Sequence, residues 1–142
     1  MNNKILKKAE KFCFDNKHRL TEPRFIVLKI ISSSNKPLKA YEILEELGKV
    51  IKNAKPPTAY RAIEFWHKNN FIHRIESLNA YSICKANHLH EGSQYLICYD
   101  CGKVIESHFC EMPKIIKESL KSNTFTASAW NLEINGVCSD CK

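Results

Sequence analysis

Long apolar runs are missing from this chain. Its uninterrupted hydrophobic stretches are only a few residues long, whereas a membrane-spanning helix needs about 20. The first segment, MNNKILKKAEKFCFDNK, carries charge throughout, so it lacks the apolar core of a secretory signal. Together these absences predict a chain that stays in a reducing cytoplasm and has no membrane partner. No internal repeat or low-complexity tract is apparent, and no motif suggests a pocket for a small-molecule substrate. Negative charge is also short: 15 Asp+Glu stand against 22 Lys+Arg, a formal net charge of +7.

That excess is unevenly placed. Residues 1–83 hold 16 Lys+Arg against 8 Asp+Glu, and residues 84–142 hold 6 against 7, so the charge changes from +8 to −1 between them. A basic half joined to a near-neutral half points to a polyanion-binding domain attached to something else. With 142 residues, 44% of them hydrophobic, the chain has room for one ordinary domain or two small ones.

The basic half reads as helices. ILKKAEKFCF puts Ile5, Leu6, Ala9, Phe12 and Cys13 on one helical face. Thr21 offers an N-cap to a helix through RFIVLKIIS, with Glu22 and Pro23 in its first turn. PLKAYEILEELG places Ala40, Ile43, Leu44 and Leu47 at helical spacing, with Gly48 suited to a C-terminal cap. A fourth helix, TAYRAIEFWHKNN, is expected to be capped by Thr58 and to end near Asn69 and Asn70. FIHRI and YSIC then form a hairpin across ESLNA, which gives the order of a winged helix-turn-helix. KANHLHEGS is a polar connector. Beyond it QYLIC, KVIES and TASAWNLEI read as strands and MPKIIKESLK as a helix. The expected class is α+β, with a winged-helix domain over 1–84, a hinge over 85–92 and a small α/β domain over 93–142. The second domain has little core of its own, so it calls for a metal or a partner subunit.

Seven cysteines are present, and in a reducing compartment they argue for metal rather than disulfides. Four fall in two Cys-x-x-Cys pairs, CYDC at Cys98 and Cys101 and CSDC at Cys138 and Cys141. Zn²⁺ takes four thiolates tetrahedrally, and each pair sets two sulfurs on one side of the ion, with Gly102 permitting the tight turn. A closed four-sulfur shell has no open position, so its role is structural. A redox Cys-x-x-Cys needs only one pair and usually starts a helix. A rubredoxin-like iron site uses the same ligands and stays open as a reading.

On the fourth helix Ala59, Ala62, Ile63 and Trp66 form an inward face, and Tyr60, Arg61, Glu64 and Lys68 point outward. The second helix of a helix-turn-helix enters the major groove. There Arg61 can fork onto a guanine, and Tyr60 can pack on a thymine methyl or bond a phosphate. A second constellation straddles the hinge. A hairpin centred near Leu78 sets His73 almost opposite Cys84, His88 and His90 lie in the connector, and Glu106 follows the first cysteine pair. Two histidines, a thiolate and a carboxylate make a mixed N/S/O metal site.

KPPTAYRAIEFW, FIHRIESLNAYSIC, LICYDCGKVIE and the final CSDC together resemble the ferric uptake regulator family, most closely its zinc uptake regulator branch. The resemblance runs from RLTEPR to the end. It implies a homodimeric transcriptional repressor of zinc-uptake genes, acting on double-stranded DNA at a palindromic operator with Zn²⁺ as corepressor. It also implies two Zn²⁺ per subunit. The structural ion falls on Cys98, Cys101, Cys138 and Cys141, and the regulatory ion on His73, Cys84, a hinge histidine and Glu106. The base-reading pair falls on Tyr60 and Arg61. The stretch between Cys84 and Cys98 aligns only with a gap, so His90 is the chosen ligand and His88 the alternate. The histidine-rich run of iron and manganese sensors is absent, with Gln94, Tyr95 and Leu96 in its place, and RLTEPR has its proline shifted by one. A thiolate at Cys84 favours Zn²⁺ over Fe²⁺ or Mn²⁺ and argues against an iron or peroxide sensor. The rival from another class is a zinc enzyme with Glu106 as general base.

Overall fold

The computed structural model describes residues 2–85, 92–107 and 111–142. The chain divides into two compact units, Met1–Cys84 and Lys85–Lys142.

In the first unit four helices surround one core. They are α1 (Asn2–Asp15), α2 (Glu22–Ser33), α3 (Ala40–Val50) and α4 (Pro56–Lys68). Each contributes its apolar stripe: Ala9 and Cys13 from α1, Val27, Leu28 and Ile31 from α2, Ile43 and Leu47 from α3, and Ala59, Ala62, Ile63 and Trp66 from α4. The Thr21 hydroxyl accepts from the Arg24 N–H at 3.4 Å and so caps α2. Trp66 is fully buried. Its indole N–H donates to the Arg24 carbonyl at 2.7 Å, because a buried indole needs a partner. The Phe65 and Phe71 rings each stand 4.9 Å from it, edge-on. The Arg24 guanidinium lies 3.7 Å above Phe65. Ring pairs of this kind contribute about 0.5–1.5 kcal/mol each beyond area burial. They fix the position of α4 against α2.

Two expected caps are corrected here. Gly48 lies inside α3, which continues to Val50 and is closed by the Ile51 N–H on the Leu47 carbonyl at 2.8 Å. Thr58 lies in the first turn of α4, not at its cap. The helix begins at Pro56 with Lys55 as N-cap, since prolines have no N–H to leave unpaired in a first turn. An unexpected strand, β1 (Leu38–Lys39), precedes α3. The Glu42 carboxylate accepts the Lys39 N–H at 2.8 Å, which starts α3 late and leaves Leu38 and Lys39 extended.

The wing is β2 (Ile72–Ile75) and β3 (Ala80–Ile83), joined by a 3₁₀ turn at Glu76–Leu78 and by Asn79 at φ +48°. With β1 it makes a three-stranded antiparallel sheet in the order β1-β3-β2. The expected register was off by two residues. His73 faces Ser82, and the Cys84 N–H donates to the Phe71 carbonyl at 2.9 Å. The turn is centred between Ser77 and Leu78, one residue before the centre that pairing His73 with Cys84 requires. A two-residue displacement conserves the face, so His73 and Cys84 remain diagonal neighbours on one side of the ribbon.

Among the described residues the second unit is a three-stranded sheet in the order β5-β4-β6, built from β4 (Gly92–Cys98), β5 (Val104–Glu106) and β6 (Trp130–Gly136), with α5 (Lys114–Ser122) between β5 and β6. The strand expected through TASAWNLEI starts only at Trp130. β5 runs antiparallel to β4 and β6 parallel to it, from Gly92 opposite Trp130 to Cys98 opposite Gly136. The unit's buried residues, among those described, are Gln94, Tyr95, Ile97 and Cys98. No residue of α5 is buried.

Gly92 sits under the Trp130 indole, where an added Cβ would overlap the ring. Gly92→Ala is expected to cost about 1–3 kcal/mol, as overpacking does. Chemical denaturation should show that loss in the second unit's transition, with the Trp66-containing unit unchanged.

Candidate metal centre and nucleic-acid interface

The sulfur cluster follows from strand pairing. β4 ends at Cys98, and the chain turns through Tyr99, Asp100 and Cys101. The Gly102 N–H bonds the Cys98 carbonyl and the Cys98 N–H bonds the Lys103 carbonyl, both at 2.9 Å. Gly102 takes φ +74°, a conformation that costs glycine nothing. Parallel pairing brings the end of β6 beside Cys98, where the Tyr99 N–H bonds the Gly136 carbonyl at 3.0 Å. Cys138 then arrives with its N–H 3.4 Å from the Cys98 sulfur. The Cys141 N–H closes the second turn on the Cys138 carbonyl at 3.0 Å. A Lys103–Asp140 ion pair of 3.0 Å joins the two turns.

All four Sγ atoms lie within 4.8 Å of one another. Cys101 and Cys138 are separated by 3.7 Å, and Cys138 and Cys141 by 3.6 Å. A disulfide needs about 2.05 Å. A tetrahedron with Zn–S of about 2.3 Å has edges of about 3.8 Å, so the sulfurs stand where a zinc ion would hold them. Their acidities diverge for the same reason. The N–H groups of Cys101, then Cys138, turn towards the Cys98 sulfur and bring that thiol down to about 6. The Cys141 thiol is pushed up to about 12, first by Cys138 and then by Cys101. Four thiolates this close do not ionise together without a cation among them.

Cys13 has no part in this. It is buried in the helical core, and burial pushes its thiol up, so it packs as a small apolar group.

The other sequence-derived residues are placed as follows. Tyr60 and Arg61 are exposed on α4, Tyr60 by 56%, opposite the face that carries Trp66. His73 is half-buried on β2, and Cys84 is buried just past β3. Glu106 ends β5 half-buried, in a cross-strand row with Tyr95 and Glu133. His88 and His90 lie outside the described residues. The sequence reasoning passed over Lys55. It is exposed and stands at the N-cap position of α4, the positive end of the helix. The signal was a lysine directly before two prolines.

A winged helix-turn-helix, followed by an α/β unit built on a four-thiol cluster, defines a class of metal-dependent DNA-binding regulators. The model of the ferric uptake regulator family matches residues 15–135, and the chain belongs to that family. The zinc uptake regulation protein of Escherichia coli (strain K12) is 35% identical over 142 residues, covering 96% of this chain and 81% of the relative. A solved zinc uptake regulator complexed with zinc and DNA superposes with a TM-score of 0.90 at 32% identity, covering 99% of this chain and 95% of that one. The holo form of XcZur gives 0.80 at 33% identity, covering 99% and 98%.

Cys101→Ser is expected to release one zinc per chain and to unfold the second unit. Structural zinc contributes about 10 kcal/mol or more in small zinc folds, comparable with a domain's whole stability. Metal analysis and thermal melting check this; a variant that melts normally would overturn the assignment.

Proposed function

We propose that the chain is a zinc-responsive, DNA-binding transcriptional repressor of zinc-uptake genes, with zinc as corepressor. The observation that carries this reading is the joining of an exposed Tyr60–Arg61 pair on the second helix of a helix-turn-helix to a four-thiol cluster, in a chain 35% identical to a zinc uptake regulation protein. The bound ion supplies charge and geometry, not an open coordination position for a substrate. Zinc footprinting on promoters of metal-transport genes tests the reading as a whole.

The protein acts as a homodimer in the cytoplasm, on a palindromic operator in double-stranded DNA. Leu96, Ile105 and Ile134 support the dimer. They lie in one row across β5, β4 and β6 and are exposed by 38%, 44% and 48%. Ile115 on α5 is 76% exposed. A second copy of this face is the partner that such a row fits.

Each subunit takes two zinc ions, a structural one on the four cysteines and a regulatory one on His73, Cys84, His90 and Glu106, with His88 the alternate to His90. His73 and Cys84 belong to the wing of the first unit and Glu106 to the second. One ion held by all of them therefore restricts how the winged helices are presented to DNA. Zinc favours operator binding to the extent that it binds the DNA-competent arrangement more tightly, and operator DNA tightens zinc by the same factor. A tenfold to hundredfold switch needs only about 1.4–2.7 kcal/mol of differential affinity.

Arg61→Ala should weaken operator binding by about 1–3 kcal/mol at unchanged zinc content. Equal losses on operator and random duplex, measured at one salt concentration, would make Arg61 a phosphate contact instead.

Cys84→Ser and Glu106→Ala should each keep one tightly held zinc and a folded dimer, while zinc-activated operator binding falls by about tenfold or more. His90→Ala should behave likewise and His88→Ala should not. Zinc titrations followed by operator-binding anisotropy separate these outcomes.

A further inference from the structure

α4 presents an acidic residue where a nucleic-acid-binding helix should least carry one. Its buried side is Ala59, Ala62, Ile63 and Trp66, and beyond the two leading prolines its exposed side is Tyr60, Arg61, Glu64, His67 and Lys68. At about 100° per residue, Glu64 lies about 40° round from Tyr60 and about 60° from Arg61, between the two. Trp66, its counterpart in the core, is about 200° away. Glu64 thus stands near the middle of the outward face, and it is the only carboxylate on α4.

The ordinary uses of a helical glutamate do not apply here. No acidic residue occupies the first turn of α4, so Glu64 does not complement the helix dipole. Lys68 stands four residues on, in the favourable orientation for an ion pair. Yet among the described residues no ion pair includes Glu64, although Lys11–Asp15 and Lys49–Glu46 form on α1 and α3 at 2.6 Å. A solvent-facing carboxylate opposite phosphates lowers affinity for every duplex. It gains only where it accepts a hydrogen bond from a base edge, and the exocyclic amino group of cytosine is the donor that carboxylates take in the major groove. Acceptor edges, guanine O6 or thymine O4, meet like charge at the same place. Glu64 is about 4.5 Å along the helix from Arg61, comparable with one base step of about 3.4 Å.

We propose that Glu64 is a specificity-determining residue, which accepts a hydrogen bond from a cytosine amino group beside the base pair read by Arg61 and rejects acceptor edges there. The assignment rests on α4 being the recognition helix.

The test is selection from a random duplex library by the zinc-loaded full chain, by Arg61→Ala, by Glu64→Ala and by Glu64→Gln, followed by titration of single-base variants of the selected duplex. The parent should fix a cytosine next to the guanine whose preference disappears in Arg61→Ala. Both Glu64 variants should keep zinc content and dimer mass. They should lose about five- to a hundredfold of discrimination at that cytosine alone, and Glu64→Ala should bind random duplex more tightly than the parent. Unchanged preference at every position, with only a general rise in affinity, would make Glu64 a solvated charge and overturn the proposal. A fixed adenine would overturn the cytosine assignment. A parent that selects no duplex in zinc would instead overturn the DNA-binding reading of α4.

Discussion

Four sulfur atoms within 4.8 Å of one another are a constraint that the chain's own packing does not satisfy. One thiol is drawn down to about 6 by backbone N–H groups and another is pushed up to about 12 by its neighbours, because sulfurs packed this closely resist ionising together. Everything in the second unit leads to this point. The parallel pairing of β6 with β4 delivers Cys138 to Cys98, the two turns fold their amides inward, and Lys103 and Asp140 join across the outside. With Gln94, Tyr95, Ile97 and Cys98 as its described buried residues, the unit has little hydrophobic burial to offset the entropy of ordering it. A metal ion at the end of the sheet supplies what the core does not.

The first unit is stabilised in the opposite way. Its core draws on every helix, and its centre is Trp66, held by a hydrogen bond to α2 and by aromatic edges on two sides. Because α4 places Ala59, Ala62, Ile63 and Trp66 inward, its other face is rigidly presented yet uncommitted. A recognition surface needs that combination, since side chains on a fixed backbone read base edges at lower entropic cost than side chains on a loop. The first unit therefore presents α4 from a hydrophobic scaffold, while the second depends on metal chemistry for its order.

In the proposed function zinc acts at two levels of the same molecule. An ion closed within four thiolates is inseparable from folding, and its loss is a loss of structure. The second ion proposed for each subunit, on imidazole, thiolate and carboxylate ligands, is proposed to act on arrangement instead, which requires only a modest difference in affinity. Cys84 fits that proposed role in one respect: it follows the end of β3, on the same side of the ribbon as His73. On that proposal one chain combines a soft, closed ligand set for permanence with a mixed set for response.

By itself the sequence determined whatever depends on neighbours a few residues apart. The periodicity of ILKKAEKFCF and TAYRAIEFWHK gave their buried faces, Thr21 gave its cap, and the spacing of CYDC and CSDC gave two half-shells for a metal. Tertiary structure decided what depends on distant partners. Leu38 and Lys39 became a strand because Tyr81 and Ala80 offered an edge, and α3 ran past Gly48 because its apolar face was already buried. The wing's register came from the 3₁₀ turn and the left-handed Asn79, which no alternation of residues encodes. That the two half-shells meet was decided by the parallel pairing of strands 38 residues apart at Gly92 and Trp130. Local periodicity records which side of an element is apolar; only the packing of distant segments selects which partner covers it.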